Sequence, residues 1–433
     1  MKKFLIKTMG CKSNQFEGQI IEKKLIDDGF EKVSAIKDAN YYILNSCTVT
    51  QNTDKEVLYL LRNAKHINPN IKTILTGCLA QVDKESLAQH SYIDYLLGND
   101  DKFQIGEFLD KNERIMVTDI MDIGSFNQQV LSDTSKTRIN IKVQDGCDSR
   151  CSYCIIPFAR GKSRSADLNF ITTQINSYAD SGFNEVILTG IHIGQWGTDF
   201  NKTFLDLIKA IENDTSIPRY RIGSLNPTEI TPDVLNCLQN SKKFCPHFHL
   251  SLQSACNKTL ISMNRFYSVH NFLKQIDYIY ENFDNPFLGS DIIAGFAGET
   301  NEDFEITVKN LRQSKLSKIH TFPYSLRKNT FAENMSGHLP DIVKEYRANI
   351  IKSISKKKHS EFLNNNIGTT QEVLIEKNTD KITGKLKGLS KNYINVIIDE
   401  DLPIEVINAN HNVIRKVKLE RVEGDKIYGK FSN

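Results

Sequence analysis

No stretch of this 433-residue chain approaches the roughly 18 consecutive apolar residues of a membrane-crossing helix, so neither a transmembrane segment nor a membrane partner is expected. No secretory leader is expected, because Met-Lys-Lys-Phe-Leu-Ile-Lys runs directly into Thr8, Gly10, Cys11 and Lys12 and leaves no apolar core. The expected address is the cytoplasm. Low-complexity tracts are absent, and a net charge of only +3 lacks the basic excess of a general nucleic-acid binder. Nine cysteines in so long a chain do not make a disulfide framework, and in a reducing compartment they stay free for metal binding or catalysis. The 39% hydrophobic and 25% charged residues are those of a globular protein, and the length implies two or three domains.

Three apolar runs, Phe4-Leu5-Ile6, Tyr41-Tyr42-Ile43-Leu44 and Thr73-Ile74-Leu75, each lead into a small-residue turn and a segment of helical periodicity. The helical segments fall near 19–28, 54–66 and 84–90, so an α/β fold opening on a doubly wound parallel sheet is expected. A longer series follows, with strands expected at 139–143, 185–188, 220–222, 248–252, 288–293 and 319–323; six βα units suggest a partial (βα)6 barrel with its site where the strands end. After a basic helix containing Lys356, Lys357 and Lys358, five short β-rich stretches predict a small antiparallel barrel. The domains are accordingly 1–118, a polar linker 119–136, 137–365 and 366–433. From residue 341 onward 17 Lys and Arg stand against 13 Asp and Glu, a mild basic bias that a solvated helix face explains equally well.

The strongest chemical signal is Gly146-Cys147-Asp148-Ser149-Arg150-Cys151-Ser152-Tyr153-Cys154, directly after the first expected barrel strand. Thiolates spaced C-x3-C-x2-C on a tight loop can hold three corners of a [4Fe–4S] cluster and leave one iron open. A zinc knot is the alternative, but no fourth Cys or His stands close in sequence. Cys11, Cys47 and Cys78 form a second set, each just past the carboxyl end of an expected parallel strand, where residues remote in sequence can meet. Singly each could be a buried small hydrophobe. Their recurrence in three successive units points to a second three-thiol cluster.

The pattern C-x3-C-x-aromatic-C at the end of a first barrel strand resembles the radical S-adenosylmethionine (SAM) superfamily motif. Two such clusters, an N-terminal α/β domain, a barrel and a C-terminal β-module resemble the methylthiotransferase family over essentially the entire chain. Gly10-Cys11-Lys12-Ser13-Asn14-Gln15, Cys47-Thr48-Val49-Thr50, Gly77-Cys78-Leu79-Ala80-Gln81, the run from Cys154 to Gly161 with Ser163-Arg164-Ser165, and Gly190-Ile191-His192-Ile193-Gly194 resemble the branch acting on N6-threonylcarbamoyladenosine. That resemblance implies methylthiolation of carbon 2 of this nucleoside at position 37 of tRNA, with two [4Fe–4S] clusters and SAM. It implies tRNA, an electron donor such as a flavodoxin or ferredoxin, and a sulfur source as partners, and it makes the last module similar to a TRAM domain, an OB-like RNA-binding barrel.

Further site residues follow from the same resemblance. Tyr153 is placed for the adenine of SAM, Gly190 for the approach of its amino group, and Gln253 and Ser254 for its ribose and adenine pockets. Arg160 and Arg164 suit the SAM carboxylate or an RNA phosphate, or are solvated loop arginines. Trp196 lies in a loop where it stacks on a base or covers the barrel rim. His247 and His249 alternate on a strand and so face one side, where they fill the barrel interior or serve as ligand or proton-transfer groups. Lys385, Lys387, Lys391, Tyr393, Arg415, Lys416 and Lys418 are candidate RNA contacts. No residue is assigned as catalytic. The alternatives are a sibling methylthiotransferase acting on N6-isopentenyladenosine or a ribosomal-protein aspartate, and a non-catalytic RNA-binding iron–sulfur sensor.

Overall fold

The computed structural model describes residues 2–111, 113–131 and 136–432. Its N-terminal layer is a six-stranded, wholly parallel sheet of β1 (Lys3–Thr8), β2 (Glu31–Lys32), β3 (Tyr41–Ser46), β4 (Lys72–Gly77), β5 (Tyr95–Leu97) and β6 (Ile115–Met116), in the order β2-β1-β3-β4-β5-β6. The strands β2, β5 and β6 run only two or three residues, too short to show an alternating or apolar pattern, and sequence reading finds only the other three. Apolar cores on both faces of the sheet leave β3 and β4 buried along nearly their whole length, as central parallel strands are. The carboxyl ends of β1, β3 and β4 lie side by side, because these strands are neighbours.

The described residues between β6 and β7 (Ile139–Lys142) contain no helix or strand; residues 132–135 of the expected linker lie outside the described residues. A short ribbon of β8 (Gln144–Asp145) and β9 (Arg164–Ser165) frames the cysteine loop. The barrel continues through β10 (Glu185–Thr189), β11 (Arg219–Ile222), β12 (His247–Gln253), β13 (Phe287–Ala294) and β14 (Lys318–Pro323). It is built as two parallel half-sheets, β11-β10-β7 and β12-β13-β14, joined by isolated parallel bridges at Tyr220–Phe244 and Leu225–Leu250. One continuous apolar core underlies both halves.

The helix Asp341–Asn365 leads into a closed barrel of β15 (Thr370–Ile375), β16 (Lys387–Ser390), β17 (Asn395–Ile398), β18 (Ile414–Glu423) and β19 (Lys426–Phe431). Its pairs are antiparallel except β17 with β19, which run parallel because the helix Ile404–Asn410 and β18 intervene between them. This module is seated on the larger barrel by buried arginines. Arg219 donates to the Leu389 carbonyl at 3.0 Å, and Arg221 to those of Ser390 at 2.6 Å and Lys391 at 2.7 Å. Glu185 neutralises both guanidiniums at 2.7 and 2.9 Å. Among the described residues no helix is long and apolar enough to cross a membrane.

Candidate active site

Cys11, Cys47 and Cys78 follow three adjacent parallel strands, and their loops are stitched to one another. Asn14 donates to the carbonyls of Met9 and Ser46 at 2.8 Å each, and the Ser46 hydroxyl donates to the Thr76 carbonyl at 2.6 Å. Gly10 makes the close approach workable: its φ is +90°, and a Cβ there would stand 2.9 Å from the Cys47 Sγ. Burial pushes the Cys47 thiol up to about 12, and charge on Cys78 and then Cys11 adds to that rise. Asn99 donates to the Cys78 sulfur at 3.6 Å.

The second trio lies on the loop between β8 and β9. Gln144, fully buried, holds that loop from inside: its amide donates to the carbonyls of Asp145 and Gly146, and its Oε1 accepts from the backbone N–H groups of Ile191 and His192. A Cβ on Gly190 would come within 3.1 Å of the Gln144 carbonyl and Oε1, so the turn after β10 packs directly on this support. Burial pushes the Cys154 thiol up to about 12, with charge on Cys151 and Cys147 acting in the same direction. Burial alone would also raise Cys147, but a hydrogen bond with His192 at 3.3 Å outweighs it and brings the thiol below its ordinary value. Desolvation opposes a charge on His192; Cys147 and Glu229 overcome it and lift the imidazole to about 10. Arg265 donates to the Cys151 sulfur at 3.3 Å.

These donor sets fit an iron–sulfur cluster. Burial and the charge of neighbouring thiols raise Cys47 in one trio and Cys154 in the other, a cost that a cationic metal core relieves by binding them as thiolates. Each also has hydrogen-bond donors aimed at sulfur, of the kind that tune such clusters. Among the described residues no three His, Cys, Asp or Glu side chains converge tightly enough for a single metal ion.

Two cavities adjoin the trios. One of about 290 Å³ is lined by Tyr153, Cys154, Gln253, Asp291 and Tyr324; the other, of about 500 Å³, by Cys11, Lys12, Gly190, His247, His249 and His320. Val49 and Ile156, from the two cysteine loops, belong to both linings. Gln253 ends β12 at a register shift with φ +69°, an uncommon conformation for a side-chain-bearing residue and one that marks functional sites. Ser254 is 1% exposed, its hydroxyl accepts from the Cys256 N–H at 3.2 Å, and it is absent from both linings.

Several expected ligand contacts are turned to other uses. Arg160 meets the chain's own carboxylates: it pairs with Glu17 at 2.5 Å and Asp145 at 3.3 Å, and donates to the Asn14 side chain at 2.9 Å. Arg164 is likewise buried against Asp145 at 3.4 Å. Trp196 is fully buried with its indole N–H on the Ala166 carbonyl at 3.0 Å, so it does not offer a face on which a base could stack. Tyr393 lies 4.0 Å between ring centroids from His247 and over the Arg221 guanidinium, in the lining of the larger cavity. Lys385, Lys387 and Lys391 pair with Asp399, Glu376 and Glu372, and Arg415 donates to Asn410; Lys416 and Lys418 remain exposed.

Glu17, Gln144, His192, Glu229, Arg265 and Arg327 organise the site without a spacing signal in the sequence. Arg327, after β14, pairs with Asp54 at 2.6 Å and donates to the Thr48 hydroxyl at 2.6 Å, fastening the barrel to the Cys47 loop. Glu17 also accepts from Lys102 at 2.5 Å and Lys142 at 2.6 Å. Burial opposes its charge, but Arg160, Lys102 and Lys142 together hold the carboxyl well below the usual range.

Residues 141–311 match the Radical SAM superfamily, and residues 3–98 match a family described as uncharacterized protein family UPF0004. The threonylcarbamoyladenosine tRNA methylthiotransferase MtaB of Aquifex aeolicus (strain VF5) is 34% identical over 91% of this chain and 96% of its own length. The chain belongs to the tRNA methylthiotransferase family. Another relative of this methylthiotransferase is the tRNA-2-methylthio-N(6)-dimethylallyladenosine synthase of Thermodesulfovibrio yellowstonii (strain ATCC 51303 / DSM 11347 / YP87), 31% identical over 98% of each chain. A solved radical SAM methyltransferase, TsrM from Kitasatospora setae, shares the fold at a TM-score of 0.55 and 12% identity, over 74% of this chain and 75% of that one.

Proposed function

We propose that this methylthiotransferase attaches a methylthio group to carbon 2 of N6-threonylcarbamoyladenosine at position 37 of tRNA. The observation that carries this reading is the placement of one cysteine of each trio, Cys154 and Cys11, on two cavities that share Val49 and Ile156, in a chain 34% identical to the MtaB enzyme of Aquifex aeolicus. Cys147, Cys151 and Cys154 would hold one [4Fe–4S] cluster and Cys11, Cys47 and Cys78 a second, which with SAM would supply one-electron cleavage of a sulfonium and a carrier for the transferred sulfur.

The chain's own part is positioning. Tyr153, Gln253 and Gly190 form walls for SAM and the base, and Val49 and Ile156 line the boundary between the two cavities. The Glu17–Arg160 and Asp54–Arg327 pairs prevent one trio from moving relative to the other. Ser254, Arg160 and Arg164 act through the backbone and loops that they brace. The division into 1–118, 119–136, 137–365 and 366–433 assigns the sulfur carrier, linker, radical chemistry and RNA binding respectively. RNA binding by the last barrel, of TRAM type, would draw on the exposed Lys416 and Lys418. A flavodoxin- or ferredoxin-type electron donor and a sulfur source complete the reaction in the cytoplasm.

Mass spectrometry of tRNA nucleosides from a deletion strain tests the acceptor. The methylthio form of threonylcarbamoyladenosine should disappear while its precursor accumulates. An unchanged level would overturn the reading, and loss of the methylthio-dimethylallyl nucleoside instead would assign the sibling acceptor.

A further inference from the structure

The larger cavity carries a charge pattern that its position beside Cys11 does not require. Lys12, at the start of the helix Lys12–Asp27, and Lys318, on β14, both line it, and among the described residues neither ammonium makes an ion pair or hydrogen bond. His247 and His359 also line it, and the Nδ1 atom of each is buried with no partner. The neighbouring carboxylates are otherwise engaged: Asp291 accepts from His249 at 2.9 Å, Glu376 pairs with Arg138 at 2.9 Å, and Glu185 holds Arg219 and Arg221. Asp425, exposed in the turn between β18 and β19, is the single carboxylate among the lining residues described. A cavity of about 500 Å³ with unspent donors and cations is built to receive an anion.

We propose that this cavity receives the carboxylate of the threonyl substituent, with Lys12 and Lys318 as specificity-determining residues, an inference that rests on the acceptor assigned above. A threonylcarbamoyl group ends in a carboxylate that is ionised at neutral pH, whereas a dimethylallyl group is an uncharged hydrocarbon. A hydrocarbon in this cavity would leave two ammonium groups desolvated and unpaired, which is the stronger basis for discrimination. Free phosphate and the carboxylate of SAM share the same chemistry, and the experiment separates them.

The test uses the full chain with clusters reconstituted under anaerobic conditions. Its probes are anticodon stem–loops carrying threonylcarbamoyladenosine, its neutral carboxamide or dimethylallyladenosine, followed by fluorescence anisotropy. The wild type should bind the acid at least tenfold more tightly than the carboxamide, on the scale expected for one charge-assisted contact. Lys12→Gln and Lys318→Gln should each reduce that preference, and the double variant should abolish it with SAM affinity and iron content unchanged. Lys318 is not adjacent to a cysteine in the chain, so Lys318→Gln keeps the test sound if Lys12→Gln disturbs the Cys11 loop. Equal wild-type affinity for acid and carboxamide, a preference retained in Lys318→Gln and the double variant, competition by inorganic phosphate alone, or a parallel loss of SAM affinity would each overturn the proposal. Conversion of the dimethylallyl RNA without conversion of the threonylcarbamoyl RNA would sink the acceptor assignment. Conversion of the threonylcarbamoyl RNA with no effect of its carboxylate on binding would sink the cavity assignment alone.

Discussion

Glu17 and Arg160, 143 residues apart in the chain, meet as a two-point ion pair, Nη1 to Oε1 at 2.5 Å and Nη2 to Oε2 at 3.0 Å, with each side chain 1% exposed. The first belongs to the helix that follows Cys11, the second to the short helix after Cys154. The two cysteine loops are therefore held in register by one buried contact.

Removing one partner of a buried pair leaves the others desolvated and unpaired. Glu17→Ala leaves Lys102 with no carboxylate and Arg160 and Lys142 with Asp145 alone, and it is expected to cost about 3–5 kcal/mol of stability. Urea unfolding of the variant and wild type measures this. A loss below about 1 kcal/mol, the range of surface pairs, would show that the contact does not hold the two layers together.

Each cysteine trio should account for half of the iron. Cys11→Ala with Cys47→Ala and Cys78→Ala is expected to halve the iron and sulfide content, retain SAM cleavage and form no methylthio product. The corresponding Cys147, Cys151 and Cys154 triple variant should also halve the iron but lose SAM cleavage. Full iron content in either variant, or SAM cleavage surviving in the second, would contradict the ligand assignment.

Arg265 donates to Cys151 at 3.3 Å while Asn226, at 2.5 Å, and the Ser251 carbonyl, at 2.9 Å, orient its guanidinium. Hydrogen bonds and positive charge at a cluster sulfur favour the reduced form. Arg265→Gln is expected to move the potential of that cluster negative by on the order of tens of millivolts. A redox titration followed by electron paramagnetic resonance reads the shift, and an unmoved potential would assign Arg265 a purely structural place.

Glu185 predicts an acid limb in stability. Burial raises its pKa, but Arg221, Arg219 and Arg138 outweigh that and hold it below its ordinary value of 4.5. The folded state then resists protonation longer than the unfolded chain, so this contribution is present above about pH 4.5 and is lost as the pH falls through the folded value. Urea midpoints from pH 7 downward should decline more steeply for the wild type than for Glu185→Gln, which lacks the titrating group. Parallel slopes would remove Glu185 from the explanation.

The barrel strands were legible because β-branched, leucine and aromatic residues recur in each and the segments follow one another at regular spacing, and the observed β7 and β10 to β14 fall at those positions. The helix Ile404–Asn410 and the two-residue strands β2 and β6 left no such trace, since tertiary neighbours hold them. Trp196 and Tyr393 show a different limit. An aromatic side chain looks the same in sequence whether it awaits a base or packs against Ala166 or His247.

Cysteine spacing, strand order and family membership are properties of the chain taken alone. A ligand set on one tight loop is defined by covalent geometry, and parallel strands deliver Cys11, Cys47 and Cys78 to one edge once they pair. Which charges are spent inside the protein and which stay available for a ligand was decided only by the tertiary structure. Arg160 is neutralised by Glu17 from another layer while Lys12 lines a cavity and, among the described residues, pairs with no carboxylate, and the difference arises because desolvation and pairing depend on groups brought together from distant parts of the chain.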